Sequence, residues 1–183
     1  MPLKRFRTRT LAVIAVSALT ITGTAFAATV HPHANKKYGG TTSEAKTNGK
    51  KPTVTFKTSK NGKQLLNFAY QTAGCFTIVG GGSLNSGLSK QDVGTIAVGK
   101  SGSFSRKNVT TKRTSGLEQI TTTSTVTGHF KKATVAVGTI VYKQTMSGKG
   151  VPMTKPCGPE KVTFTATQAK PAPSGGYGGY GGY

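Results

Sequence analysis

The chain has no tryptophan, two cysteines and only four acidic residues among its 183. Each shortage excludes something. Without tryptophan there is no buried strand-C ring of the kind that marks an immunoglobulin domain. The four acids are Glu44, Asp92, Glu118 and Glu160. A glycosidase needs two carboxyls flanking one bond, and no local spacing pairs any two of these. A structural zinc site wants four ligands. Beside Cys75 and Cys157 only His31, His33 and His129 are on hand, and none has metal-ligand spacing to the cysteines. After the first thirty residues no apolar run is long enough to span a bilayer, which takes about 20 residues. A sustained period of 3.6 residues, the mark of an amphipathic helix, is also missing.

What the front of the chain does have is a secretory pattern. "MPLKRFRTRTLAVIAVSALTITGTAFAATV" carries Lys4, Arg5, Arg7 and Arg9, then an apolar run from Leu11 to Ile21, then the small-x-small site Ala25-Phe26-Ala27. This predicts a signal peptide over residues 1–27, cleaved near Ala27. The run is shorter than a membrane span and is broken by Ser17, Thr20 and Thr22. No Arg-Arg pair, no cysteine at the cleavage point and no Leu-Pro-x-Thr-Gly signal occurs. The expected product is secreted by the general route, and is free or held to the cell wall non-covalently.

Export gives the cysteines a meaning. An even pair in an oxidising compartment predicts one disulfide between Cys75 and Cys157; two free buried thiols or a metal pair are the alternatives. The pair is 82 positions apart, and closing such a loop contributes up to about 4–5 kcal/mol in the chain-entropy account.

Charge is the strongest signal. Lys and Arg number 25 against the four acids. Without the four basic residues of the leader the balance is 21 against 4, a net of +17. Self-repulsion on that scale costs stability, which points to anionic partners. Outside a cell these are cell-wall polymers, acidic glycans and, non-specifically, released nucleic acid.

Residues 28–51 are polar, basic and poor in large apolar side chains, so they read as a flexible linker. Residues 168–183, ending in "SGGYGGYGGY", read as a disordered tail. Between them residues 52–167 alternate with period two. Val54 and Phe56 share a face in "TVTFK". Asn61-Gly62 supplies a hairpin turn through two residues that tolerate positive φ. Leu66, Phe68 and Tyr70 follow on one side, then "CFTIV", then two strands around Gly99-Lys100-Ser101-Gly102. "NVTTKR" and the threonine-rich "LEQITTTSTVT" continue the pattern. "GHFKKATVAVGTIVYKQT" predicts a turn at Lys131-Lys132, and Val162, Phe164 and Ala166 close the set. The expected fold is all-β, a single antiparallel β-sandwich or barrel-like sandwich of about eight to ten short strands.

"SGSFS", "TGHFKKATVAVGTI", a late cysteine and a closing "VTFTA" resemble a group of uncharacterised exported β-sandwich proteins of Gram-positive, actinobacterial-type bacteria. The matching positions are Gly128-His129-Phe130, Ala133 with Gly138-Thr139-Ile140, Cys157, and Phe164-Thr165-Ala166, within residues 99–166. The resemblance implies a β-sandwich with a disulfide. It carries over no catalytic residue.

Catalytic constellations are thin. A serine nucleophile would need His129 and Asp92 as partners, and no Gly-x-Ser-x-Gly elbow occurs. "GGGSLNSG", Gly80 to Gly87, lacks the Gly-Lys-Ser/Thr ending of a phosphate loop. "VHPH" places a histidine fourth after Ala27 and not third, against an amino-terminal copper site. No enzyme, metal or cofactor is expected. The basic pairs Arg106-Lys107, Lys112-Arg113 and Lys131-Lys132 are the candidate anion-binding residues. Phe104 and Phe130 flank such pairs, but alternation assigns them to the core. Tyr177, Tyr180 and Tyr183, on a glycine-rich arm, are candidate contact residues, and Tyr38-Gly39-Gly40 repeats their unit. The leading expectation is a non-catalytic cationic domain that binds anionic envelope polymers. A carbohydrate-binding or adhesive module using the tail is the second, and an exported hydrolase the third.

Overall fold

The structure, a computed structural model, describes residues 29–73, 76–78, 83–84, 87–115, 118–148, 154–155 and 157–170. The expected signal peptide, the tail tyrosines and Cys75 lie outside these residues. The strands are β1 (Lys37–Thr42), β2 (Thr53–Thr58), β3 (Gln64–Thr72), β4 (Phe76–Ile78), β5 (Ser83–Leu84), β6 (Ser89–Ala97), β7 (Ser103–Ser115), β8 (Glu118–Lys132), β9 (Val135–Gly148), β10 (Thr154–Lys155) and β11 (Cys157–Gln168). Eight of them form one antiparallel sheet in the order β6-β3-β2-β1-β11-β9-β8-β7, and β10-β4-β5 form a small second sheet.

The large sheet is nearly closed, so the barrel-like form of the expected all-β fold is the one present. Its outer strands β6 and β7 are joined by a tight turn and by the bridge between Val98 and Phe104. Beyond the bridge, side chains span the seam. The Arg106 guanidinium donates to the Thr95 carbonyl, and Thr111 Oγ1 donates to Gln91 Oε1 at 2.5 Å. Three bulges sit beside this seam, at Asn67 (φ 53°), Gly94 (φ 83°) and Asn108 (φ 53°), on β3, β6 and β7. An extra residue in one strand bends it and increases the local twist, and here the bends turn the sheet back on itself.

The bulge at Asn67 also corrects the face of β3. Strict alternation puts Leu66 with Phe68 and Tyr70, but the extra residue shifts the phase and Leu65 is the buried one. The Asn61-Gly62 turn forms where expected, though only Gly62 takes positive φ, at 70°. Its N–H donates to the Ser59 carbonyl at 3.0 Å. The next turn does the same through Gly102, φ 73°, bonded to Gly99 at 2.9 Å. The last long hairpin turns at Ala133-Thr134 and not at Lys131-Lys132, because β8 runs through Lys132.

The interior is filled and not hollow, as expected for eight strands. Phe56 stacks on Tyr38 at 5.0 Å and on Phe68 at 5.6 Å, and Phe130 meets Tyr38 and Phe104 edge-on. Phe104 and Phe130 are core residues, as alternation required. Gly128 and Gly138 stand opposite each other and make room for rings. A Cβ on Gly128 would lie 2.5 Å from Phe104, and one on Gly138 2.6 Å from Phe164.

The largest correction concerns residues 28–51, expected to be a flexible linker. β1 lies within them and pairs with both β2 and β11. Tyr38, read as part of a Tyr-Gly-Gly unit like those of the tail, is a buried core ring whose hydroxyl donates to the Ala133 carbonyl at 2.5 Å. Upstream, His33 and Asn35 bond to Ala133 and Ser59, tying residues 30–35 across the end of the barrel where β1 starts. Composition hid this because a strand between two others needs only one buried side chain in two.

Candidate functional site

Antiparallel pairing gives the barrel two ends of different chemistry. At the mouth, where β1 ends and β11 starts, the inward residues turn polar. Thr42, Thr72, Ser89, Gln91, Thr122, Ser124 and Gln144 are all buried there. Gln144 Nε2 donates to Thr122 Oγ1 at 3.2 Å, directly across the β8–β9 ladder. Gln91 Nε2 donates to Ser89 Oγ at 2.9 Å.

Glu44, just past β1, leans into this group. Its Oε1 accepts from the Ala73 N–H at 2.9 Å, from Tyr142 Oη at 3.2 Å and from Thr72 Oγ1 at 3.4 Å. Its Oε2 is buried without a partner. Burial raises the Glu44 carboxyl above its ordinary pKa; the three donors offset part of that, and the charge of Glu160 adds to it. Tyr142 is raised chiefly by burial, with the Glu44 charge adding. Burial pushes Tyr70 up to about 12, although the nearby Ser124 hydroxyl offsets part of the effect. That hydroxyl is not placed for a hydrogen bond, so Tyr70 Oη is also buried and unpartnered. The group can hold a proton on a half-buried carboxyl. Among the described residues no cluster of three or more His, Cys, Asp or Glu stands ready for a metal ion.

The opposite end, the base, is cationic. Lys36 and Lys37 start β1, Lys57 ends β2, and Lys60 and Lys63 flank the next turn. Lys100 sits in the β6–β7 turn, Lys131 and Lys132 end β8, and Lys170 follows β11. All but the half-buried Lys57 are exposed. The described acids lie elsewhere: Glu44, Glu118 and Glu160 at the mouth, and Asp92 on β6, where it pairs with Lys90 at 2.7 Å.

The anion-binding candidates of the sequence do not form one patch. Arg106 and Lys107 lie on β7 beside the Asn108 bulge, with Arg106 engaged across the seam. Lys112 and Arg113 lie about 20 Å further along the strand, at about 3.3 Å per residue. Lys131 and Lys132 join the base. Cys157 opens β11; its side chain and all of Cys75 lie outside the described residues. His129 is exposed on β8 and stands opposite Ser103 and Val137, and "GGGSLNSG" is mostly outside the described residues.

Two open clefts on the outer wall involve the lysine pairs at 36–37 and 50–51, outside the three candidate pairs. One of about 610 Å³ is bordered by Thr47, Asn48, Lys50, Lys51, Thr53, Gln71 and Leu88. Another of about 310 Å³, at the base, is bordered by Asn35, Lys36, Lys37, Lys57, Gln168, Ala169 and Lys170. The only sequence signal for them was the doubling of lysine at 36–37 and 50–51. Glu44 had none beyond the rarity of acids. Comparison with protein-family models, curated proteins and solved structures finds nothing that matches the chain.

Proposed function

We propose that the protein is an exported, non-catalytic cationic barrel that binds anionic polymers of the cell envelope or extracellular matrix. The observation that carries this reading is the base. Nine lysines surround it, and no described acid stands among them. Lys37 and Lys57 are directly opposed across the β1–β2 ladder, an arrangement of like charges that is destabilising by itself. Such a surface is relieved by an external anion. The leader, read as a secretory signal, supplies the compartment, and wall polymers or acidic glycans supply the anions.

The test is retention of the mature chain on purified cell-wall material during a salt titration. The screening length falls from about 10 Å at 0.1 M to about 3 Å at 1 M salt, so retention should be lost across that range. Retention that is undiminished at about 1 M salt would refute the charge reading and favour an uncharged carbohydrate contact.

A further inference from the structure

The outer face of β2 forms a line of its own. Lys51, Thr53, Thr55 and Lys57 alternate outward from it, while Val54, Phe56 and Thr58 are buried. The 610 Å³ cleft opens at Lys50, Lys51 and Thr53. A smaller hollow of about 90 Å³ continues past Thr53 and Thr55. The cleft at the base receives Lys57, Lys36 and Lys37. The middle of this line is low because its lateral neighbours are small. Thr55 faces Gly39 on one side and Ala69 on the other, and a Cβ built on Gly39 would meet nothing within 4 Å.

Both ends are held in place. At the mouth end Thr47 and Lys50 exchange backbone bonds of 2.9 and 3.0 Å around Asn48 (φ 52°) and Gly49 (φ 74°). This is the two-residue turn that Asn-Gly favours, and it presents Lys50 and Lys51 from a short, closed loop. At the base Lys57 is flanked by Lys37 across the ladder. In the middle Gln71 Oε1 accepts from the N–H and the hydroxyl of Thr53 at 3.2 and 2.8 Å. The far wall carries Asp92, whose charge is already met by Lys90.

We infer that this track along β2 is the docking site for one linear polymer, a polyol chain joined by phosphodiesters. The inference rests on the polyanion reading above and gives it a place and a chemistry. Lysine clusters mark the two ends, about 20 Å apart at about 3.3 Å per residue. They are lysines, compact point charges that can hold a phosphate without a fixed fork geometry. Threonine hydroxyls between them meet a chain that is itself hydroxylated. Among the described residues no exposed aromatic ring lines the track, and Tyr70 at its edge is buried. A single-stranded nucleic acid would want such rings to stack its bases.

Two clusters on one rigid wall make the contact bivalent. A chain long enough to touch both gains through effective concentration, by about 100-fold or more over either contact alone. Chains shorter than about 20 Å touch one cluster at a time.

The experiment measures affinities of the mature chain for poly(glycerol phosphate) fractions shorter and longer than the track. Three double variants accompany it: Lys50→Ser with Lys51→Ser, Lys37→Ser with Lys57→Ser, and, off both the track and the base, Lys143→Ser with Lys161→Ser, two exposed lysines on β9 and β11. The long fraction should bind at least about 100-fold tighter than the short one. Either track variant should erase that difference, while the off-track variant, which loses the same charge, should keep it. Equal losses in all three variants with no dependence on length would overturn the track and leave the diffuse polyanion reading standing. No salt-sensitive binding by any fraction would overturn both. A polyuronate or an oligothymidine of equal length that binds as tightly as the phosphate polymer would overturn the assigned chemistry. Melting curves show that the fold is intact: the variants should melt at or above the parent, since removing Lys37 and Lys57 relieves a like-charge pair.

Discussion

A chain cut to begin at Pro52 should not fold. Its missing part contains β1, which sits between β2 and β11 with five register pairs on each side. Tyr38, 2% exposed, would be lost from the core. Removing a ring of that size from a core costs about 3–5 kcal/mol. Its hydroxyl bond to Ala133 and the ladder bonds are each worth about 1 kcal/mol net. Two new strand edges would also be exposed in the middle of the sheet. Together these losses reach about 10 kcal/mol, comparable to the whole stability of an ordinary domain, about 5–15 kcal/mol. The assay compares residues 52–170 with residues 29–170 by thermal melting and by dispersion of backbone amide resonances. The shorter chain should show no cooperative transition. A cooperative melt within about 5 °C of the longer chain, a shift worth only about 1 kcal/mol, would refute the role given to β1.

Gly138→Ala should destabilise by about 1–3 kcal/mol in a denaturant titration, because the new Cβ falls 2.4 Å from the Thr127 carbonyl and 2.6 Å from the Phe164 ring; an unchanged midpoint would show that the ring yields freely. Glu44→Gln should alter how stability depends on pH. The folded carboxyl titrates above its ordinary 4.5, so the folded state keeps a proton that the unfolded state has released, and stability falls as pH rises from about 4.5 through the raised value. The glutamine variant lacks this loss, so its melting temperature should gain on that of the parent between about pH 4 and pH 7; parallel curves would remove Glu44 from the account. The expected Cys75–Cys157 disulfide is tested by intact mass before and after reduction and by thiol labelling of native material. Full labelling of both thiols without reductant would end that proposal.

The sequence by itself determined the fold class and much of the core. Alternation is a local property, so Val54, Phe56, Phe68, Phe104, Phe130, Phe164 and Ala166 could be assigned inward before any partner strand was known, and all are buried. The turn at Gly62 and the one at Gly99–Gly102 were legible because positive φ has a residue preference. The charge was legible because it is a sum over the chain. What only the tertiary structure decided depends on pairs of residues far apart in sequence. β1 could not be seen in residues 28–51, since its stability comes from β2 and β11 and not from its own composition. The Asn67 bulge reversed the reading of Leu65 and Leu66, because one inserted residue flips every later side chain. The candidate basic pairs were drawn from sequence adjacency; all six residues are exposed, but adjacency does not say which strands lie side by side. The structure instead brings Lys37 beside Lys57 and lines Lys51 up with it along one edge of the wall. The mouth group of Glu44, Thr72 and Tyr142, with |i−j| of 28 and 98 from the carboxyl, is assembled by barrel closure alone, and no local pattern of residues could have announced it.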